Sequence, residues 1–182
     1  MVRPVPGNLK LNMVFSLPGK RPVMIALWIA GGVLVLGAGA LLVLSLTASR
    51  PENLGVQNGR LAECPGTPNC VSSQAAEPGE AIPPFAVSGD PGEAFARLRS
   101  IVAQDPRSRI VVDRDDYLHA EFTSRLFRFT DDVEFLLDPA GRVIHVRSAS
   151  RVGRSDLGAN RQRVEALRTR YQQSADPRPE RP

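Results

Sequence analysis

An uncharged apolar run at residues 23–46 constrains this chain more than any other feature of its sequence. A helix rises about 1.5 Å per residue, so a run of this length extends about 36 Å, against a hydrocarbon core of about 30 Å. Its glycines are compatible with this interpretation, because membrane spans carry glycine more often than soluble helices do. We therefore predict one transmembrane helix at residues 23–46.

A cleaved secretory signal is the competing interpretation, because it too has a basic start and an apolar centre. The run here is longer than the roughly 7–15 residues of a signal core, and residues 46–49 (LTAS) match a cleavage site only loosely. No cysteine follows directly, which argues against a lipoprotein. We favour an uncleaved anchor; cleavage near Ser49 would instead release the domain that follows.

Basic residues flank the run unequally. Four precede it without an acid among them: Arg3, Lys10, Lys20 and Arg21. Only Arg50 and Arg60 follow closely. Because basic loops stay in the cytoplasm, we predict a single-pass protein of the cell inner membrane, with a cytoplasmic amino end and a periplasmic or other extracytoplasmic domain.

The net charge of +4 belongs to this flank. The chain has 23 Lys and Arg against 19 Asp and Glu, so the part after residue 22 is formally neutral once those four residues are set aside. A duplex-binding domain normally carries a net basic surface. We therefore expect the lipid bilayer, and no nucleic acid, as a partner.

Composition divides the chain into five regions. They are a basic segment at residues 1–22, the helix at 23–46, a linker with two cysteines at 47–84, a domain at 85–173 and a disordered tail at 174–182. The linker is rich in Pro, Gly, Asn and Ser and lacks apolar periodicity. The tail is too polar to pack.

Cys64 and Cys70 are the two cysteines of the chain and enclose Pro-Gly-Thr-Pro-Asn. In an oxidising compartment such a pair forms a disulfide, and the turn residues between them favour closure. Two alternatives are a redox couple, usually signalled by C-x-x-C, and a metal site, which needs about four ligands where His119 and His145 are the available additions. We predict a structural disulfide, no metal and no cofactor.

Periodicity predicts the order helix, strands, helix for the domain. Asp90 and Pro91 have the pattern of a helix start, and the apolar residues that follow keep helical spacing to about Pro106. A period of two then predicts five strands, at residues 109–113, 117–123, 126–130, 133–138 and 142–148. A last helix is predicted from about Ser155 to Gln172. The fold class is therefore α+β, an antiparallel β-meander covered by two helices.

Arginines and serines concentrate between the last predicted strand and the last predicted helix. The candidate anion ligands are Arg147, Ser148, Ser150, Arg151, Arg154, Asn160 and Arg161. Guanidinium groups match phosphate or carboxylate, and free N–H groups at a helix start add to such a site. We predict an envelope accessory or binding domain for an anionic small molecule, a lipid head group or an acidic side chain of an envelope protein. The alternative is that these arginines pair with the acids of residues 113–138, while Asp156 only caps the helix.

A hydrolase is the rival prediction, with His145 or His119 as base, Asp156 orienting it, and Ser148 or Ser150 as nucleophile. The sequence has neither G-x-S-x-G nor H-E-x-x-H, so we prefer a protein without enzymatic activity.

Two further possibilities depend on the folded structure. Glu121 and Glu134 would form paired carboxylates only if strand register brings them together. A structural protein-interaction domain would expose a broad apolar patch.

Four ordered motifs carry a family resemblance. They are CPGTPNCVSS at residues 64–73, YLHAEFTS at 117–124, FTDDVEF at 129–135 and RSASRVGRSDLGANR at 147–161. Together they resemble the bacterial and plastid family called domain of unknown function 1499, over about residues 64–171. The resemblance implies a small α+β domain, often secreted, lipidated or membrane-tethered, whose activity is not established.

Overall fold

A computed structural model describes residues 20–175 of the chain. The predicted basic segment lies almost wholly outside the described residues, as does the predicted tail beyond Ala175. The chain divides into two compact units, residues 1–38 and residues 39–182, and the second contains all the strands described below.

The first helix, α1 (Lys20–Thr47), is 28 residues long and contains the whole predicted span. It is long and apolar enough to cross a membrane, a property that a signal sequence near the amino terminus shares. Its large apolar side chains are exposed, with Trp28 at 78% and Leu36 at 76%. Exposed apolar surfaces of this extent are typical of segments that contact lipid or another apolar partner.

The second unit is built on an antiparallel sheet. Its elements are β1 (Val56–Gln57), β2 (Arg60–Leu61), β3 (Cys70–Ser72), β4 (Phe85–Ala86), α2 (Pro91–Ala103), β5 (Ser108–Asp113), β6 (Tyr117–Thr123), β7 (Thr130–Asp138), β8 (Val143–Ser150) and α3 (Ala159–Ala175). The sheet has the order β3-β8-β7-β6-β5, with β4 also paired to β8, while β1 and β2 form a separate hairpin. The predicted α+β class is confirmed.

One face of the sheet forms the hydrophobic core with the two helices. Phe122 of β6 and Phe135 of β7 are buried in the same cluster as Leu98 of α2 and Leu167 of α3. Helix α2 begins as predicted, because the Asp90 side chain accepts the N–H of Glu93 at 2.9 Å. Along β6 and β7 every second residue belongs to this core: Leu118, Ala120, Phe122, Val133 and Phe135.

The opposite, polar face is covered by residues 48–63, which we call the strap. The N–H of Gly55 in the strap donates to Glu134 on β7 at 2.7 Å, and Leu61 packs against Tyr117 and Leu136. A two-residue turn at Asn58-Gly59, with φ of 51° and 74°, closes the strap hairpin in the conformation that such turns require. This part of the predicted linker therefore contains two short strands and contacts the sheet.

Two predicted elements were placed wrongly. Residues 126–129 form the turn between β6 and β7, because Arg128 has a φ of 54°, which a strand does not accommodate. Helix α3 starts at Ala159 and not near Ser155, because Leu157 and Gly158 both have positive φ. Asp156 caps it by accepting the N–H of Asn160 at 2.7 Å.

Cys64 and Cys70 form a disulfide, as predicted, with their Cα atoms 5.7 Å apart. Cys70 begins β3 and pairs with Ala149 of β8. The disulfide therefore fastens the carboxyl end of the strap to the edge of the sheet.

Replacing both cysteines with serine is expected to lower the free energy of unfolding by about 2 kcal/mol, since the disulfide closes a short loop in the unfolded chain. Urea unfolding of the full chain in detergent micelles measures the loss. Dithiothreitol should reproduce it in the unaltered protein and leave the Cys64→Ser/Cys70→Ser variant unchanged. A reductant effect of equal size in both proteins would contradict this assignment.

Candidate functional site

Glu134 is the centre of the first of two ionic clusters between the sheet and the strap. Its carboxylate is fully buried and accepts hydrogen bonds from the Tyr117 hydroxyl at 2.7 Å, the Gly55 N–H at 2.7 Å and Arg147 at 3.1 Å. Arg147 reaches it because register places the two residues opposite each other on β7 and β8. Burial raises the pKa of Tyr117 most, and the charge of Glu134 and its hydrogen bond with the Tyr117 hydroxyl raise it further. The hydroxyl therefore stays protonated and remains a donor.

Asp132 is the centre of the second cluster. Arg151 donates to it from Nε at 2.8 Å and from Nη2 at 2.7 Å, and His119 lies 2.8 Å away through Nε2. Burial alone would raise the pKa of Asp132, but the hydrogen bonds from Arg151 and His119 outweigh it and lower the pKa. The carboxylate therefore stays ionised and holds Arg151 in a fixed orientation.

Glu121 extends the second cluster to its rim, where three arginines meet one carboxylate. Arg50 donates to it at 2.6 Å, Arg109 at 2.5 Å and Arg151 at 2.6 Å. Burial would raise the pKa of Glu121, yet the hydrogen bonds from the three arginines dominate and lower the pKa to about 2. One negative charge is thus shared among three positive ones.

These arginines open into a cleft of about 610 Å³, which we call the arginine cleft. Five arginines line it, together with one acid, Glu121: Arg50, Arg107, Arg109, Arg128 and Arg151. Ser45 and Leu46, from the last two turns of α1, form part of the same wall. The cleft combines an excess of positive charge with the end of the apolar run.

The predicted anion ligands do not converge on one point. Arg147 is bound to Glu134, and Arg151 is bound to Asp132 and Glu121. For these two guanidiniums the structure shows the internal pairing that the sequence offered as the alternative.

The remaining predicted ligands lie elsewhere. Ser148 and Ser150 face α3, where both bond to the side chain of Asn160, at 2.5 and 2.9 Å. Arg161 donates to the carbonyl of Gly79 at 2.9 Å. Arg154 is exposed and makes no hydrogen bond to another described residue. Of the predicted set, Arg151 alone lines the arginine cleft.

The predicted catalytic residues are also separated. His145 contacts Ser73 at 3.2 Å, and Asp156 caps α3. Ser148 lies on the opposite face of β8 from His145, because alternate residues of a strand face opposite ways. Burial lowers the pKa of His145. No hydrogen bond joins His145 to Asp156 or to either serine within the described chain.

Strand register does not place the carboxylates of Glu121 and Glu134 opposite each other. Glu121 lies opposite Asp132, and Glu134 lies opposite His119. Within residues 20–175, no group of three or more His, Cys, Asp or Glu is placed to hold a metal ion.

Four arginines of the cleft were not among the predicted ligands: Arg50, Arg107, Arg109 and Arg128. One signal in the sequence was available, since Arg50 follows the apolar run closely. No sequence pattern near Arg50 indicates that it binds the same carboxylate as Arg109, which is far along the chain. The shared contact with Glu121 is a product of the tertiary fold.

The sequence of the second unit matches a known protein family. The sequence model of a family described as "Protein of unknown function (DUF1499)" matches residues 60–170, more than half of the chain. No curated protein matches the chain. The matched region contains both ionic clusters apart from Arg50 and Gly55, while most of the strap precedes it.

Proposed function

We propose that this chain, which belongs to the DUF1499 family of unknown function, is a membrane-anchored binding domain. Its arginine cleft holds the phosphate of an anionic lipid. The observation that carries the proposal is the set of five arginines with one acid in a cleft beside the end of α1.

The charge balance of the cleft favours an anion. Glu121 neutralises one of the three guanidiniums it contacts. Arg151 is also paired with Asp132, and Arg107 is paired with Asp105 at 3.5 Å. Arg128 is exposed and has no hydrogen bond to another described residue. Guanidinium forks bind phosphate oxygens in a bidentate manner. A phosphate group would therefore offset the remaining positive charge.

The place of the cleft along the chain favours a lipid as the source of that phosphate. Leu46 ends the apolar run and Arg50 follows four residues later. In a chain anchored by α1, these residues lie where the hydrocarbon core gives way to head groups. Ser45, at the same wall, is 6% exposed, and its hydroxyl has no hydrogen-bond partner among the described residues. A phosphate oxygen would give this donor a partner.

The ionic clusters fix the cleft before any ligand arrives. Asp132 and Glu121 hold Arg151 with three hydrogen bonds between them, and Glu121 also holds Arg109. Side chains that are already ordered lose little conformational entropy on binding. The buried carboxylates therefore act as positioning groups for the arginines of the cleft.

Titration of the full chain with dioleoylphosphatidylglycerol in detergent micelles tests the proposal, with bound lipid counted by native mass spectrometry. The Arg107→Gln/Arg128→Gln variant is expected to bind about tenfold more weakly, because it loses two charge-assisted contacts. Both side chains lie at the cleft rim, so the fold should persist.

The Arg154→Gln/Arg161→Gln variant is the matched control, since it removes the same charge outside the cleft. It should bind the lipid as the unaltered chain does, and dioleoylphosphatidylcholine should bind weakly to all three proteins. Loss of binding in the control alone would place the anion site in residues 147–161. Equal loss in both variants would reduce the effect to net charge and contradict the proposal.

A further inference from the structure

A second pocket, of about 400 Å³, lies between residues 83–88, α2 and the end of α3. It shares no lining residue with the arginine cleft. Its walls are largely apolar, with Pro83, Pro84 and Ala175 among them, and no acid from residues 20–175 lines it. Its polar side chains are Ser88, Arg97, Arg168, Tyr171 and Gln172.

Arg97 and Tyr171, which line this pocket, carry buried donors that have no partner among the described residues. The Arg97 guanidinium lies 4.6 Å from the centroid of the Tyr171 ring. Its Nε and Nη2 atoms are buried, and neither has a hydrogen-bond partner among the described residues. Tyr171 is 3% exposed, and its hydroxyl likewise has no partner there. Folded proteins rarely leave such groups unsatisfied, because desolvation without a replacement bond costs stability.

Arg168, the other arginine of the pocket, has hydrogen-bond partners for its guanidinium group. It donates to the carbonyls of Pro83 and Pro84 at 2.5 and 2.7 Å and to Glu165 at 3.1 Å. Its guanidinium also lies 4.4 Å from the centroid of the Phe85 ring. Arg168 is thus part of the wall, whereas Arg97 has donors left for a ligand.

We propose that this pocket binds a carboxylate group carried on an apolar body. A planar carboxylate has two acceptor oxygens that match the guanidinium fork of Arg97, and the Tyr171 hydroxyl adds a third donor. Arg168 is paired with Glu165, whereas Arg97 has no ion pair among the described residues, so the charge of Arg97 favours an anion over a neutral amide. The proline and alanine walls suit the apolar remainder of the ligand.

The carboxylate has two possible sources, with the same chemistry. One is a free organic acid. The other is the chain itself, because Asp176 follows Ala175 directly and Glu180 lies four residues further on. The experiment separates them by comparing the full chain with a chain that ends at Ala175.

Calorimetric titration with benzoate, with benzamide as the neutral control, tests the proposal on the full chain in detergent micelles. Benzoate should bind and benzamide should not. The Arg97→Gln variant should lose binding at least tenfold, while Arg125→Gln, which removes an exposed arginine in the β6–β7 turn, should leave it unchanged.

The Tyr171→Phe variant tests the role of the hydroxyl without unfolding the protein, because it keeps the ring and removes the hydroxyl alone. It should weaken benzoate binding several-fold and raise the Tm of the unliganded protein, since the hydroxyl has no partner to lose. A purely structural role for the hydroxyl would instead lower the Tm and leave the affinity unchanged.

Binding of benzoate to the full chain would identify a site for a free acid. Binding only to the chain that ends at Ala175 would identify the carboxylates after Ala175 as the occupants, and still supports a carboxylate pocket. Absence of benzoate binding in both chains, or equal binding in Arg97→Gln, would overturn the proposal.

Discussion

Replacement of Glu134 by alanine is expected to lower the free energy of unfolding by roughly 3–5 kcal/mol, because it leaves a buried charge without its partner. Arg147, at 4% exposure, would lose the carboxylate that neutralises it. The Tyr117 hydroxyl and the Gly55 N–H would lose their acceptor as well. Urea unfolding of the full chain in detergent micelles measures the change.

Two variants test whether the unpaired charge of buried Arg147 causes this loss of stability. Glu134→Gln keeps an acceptor oxygen for Tyr117 and Gly55 but removes the charge, so its loss should be smaller. Glu165→Ala breaks the exposed pair with Arg168 and should cost less than about 1 kcal/mol. Equal losses in Glu134→Ala and Glu165→Ala would mean that the cluster under the strap contributes no more than a surface pair.

The ionic clusters are difficult to explain as a device for stability alone. Well-packed apolar residues of similar volume stabilise a fold at least as well as a buried ion pair. The geometry favours another role, since Asp132 and Glu121 orient Arg151, and Glu121 orients Arg109, at the edge of the arginine cleft. The clusters thus connect the strap, the sheet and the proposed lipid site.

Local chemistry made much of the fold predictable. The Asp90 cap, the spacing of cysteines around turn residues and the alternation along β6 each depend on residues close in sequence. The turn at residues 126–129 was misread because its alternating apolar residues resemble a strand, while the positive φ of Arg128 leaves no signal in the sequence.

The enclosure of the polar face was not predictable from the same patterns. Alternation placed Tyr117, His119 and Glu121 on one face, and a polar face normally meets water. Its cover comes from the strap, whose short strands have no apolar periodicity. The strap is held by Gly55 and Arg50, through bonds to β7 and β6 that span more than 70 residues of chain. Contacts of that range are set by the tertiary fold, which local sequence patterns do not encode.

Acidification is expected to remove at most about 3 kcal/mol of stability between pH 5 and pH 2 through Glu121 alone, since solvent screens the exposed Arg50 and Arg109. Its pKa is about 2 in the folded protein against 4.5 ordinarily, so the unfolded chain binds more protons throughout that interval. The stabilisation is therefore complete above pH 5 and is lost as the pH falls towards 2. Asp132, whose pKa is also lowered, acts in the same direction.

Urea unfolding of the full chain at a series of pH values, in a non-ionic detergent, measures this loss. The Glu121→Gln variant is the control, since it should be less stable at pH 7, where Arg50, Arg109 and Arg151 lose their shared charge, yet show a flatter profile below pH 5. His145, whose burial lowers its pKa, adds a loss below pH 6.5 that both proteins share. Parallel profiles below pH 5 would show that the three arginines do not hold Glu121 ionised, and would remove the basis for a cleft organised around that carboxylate.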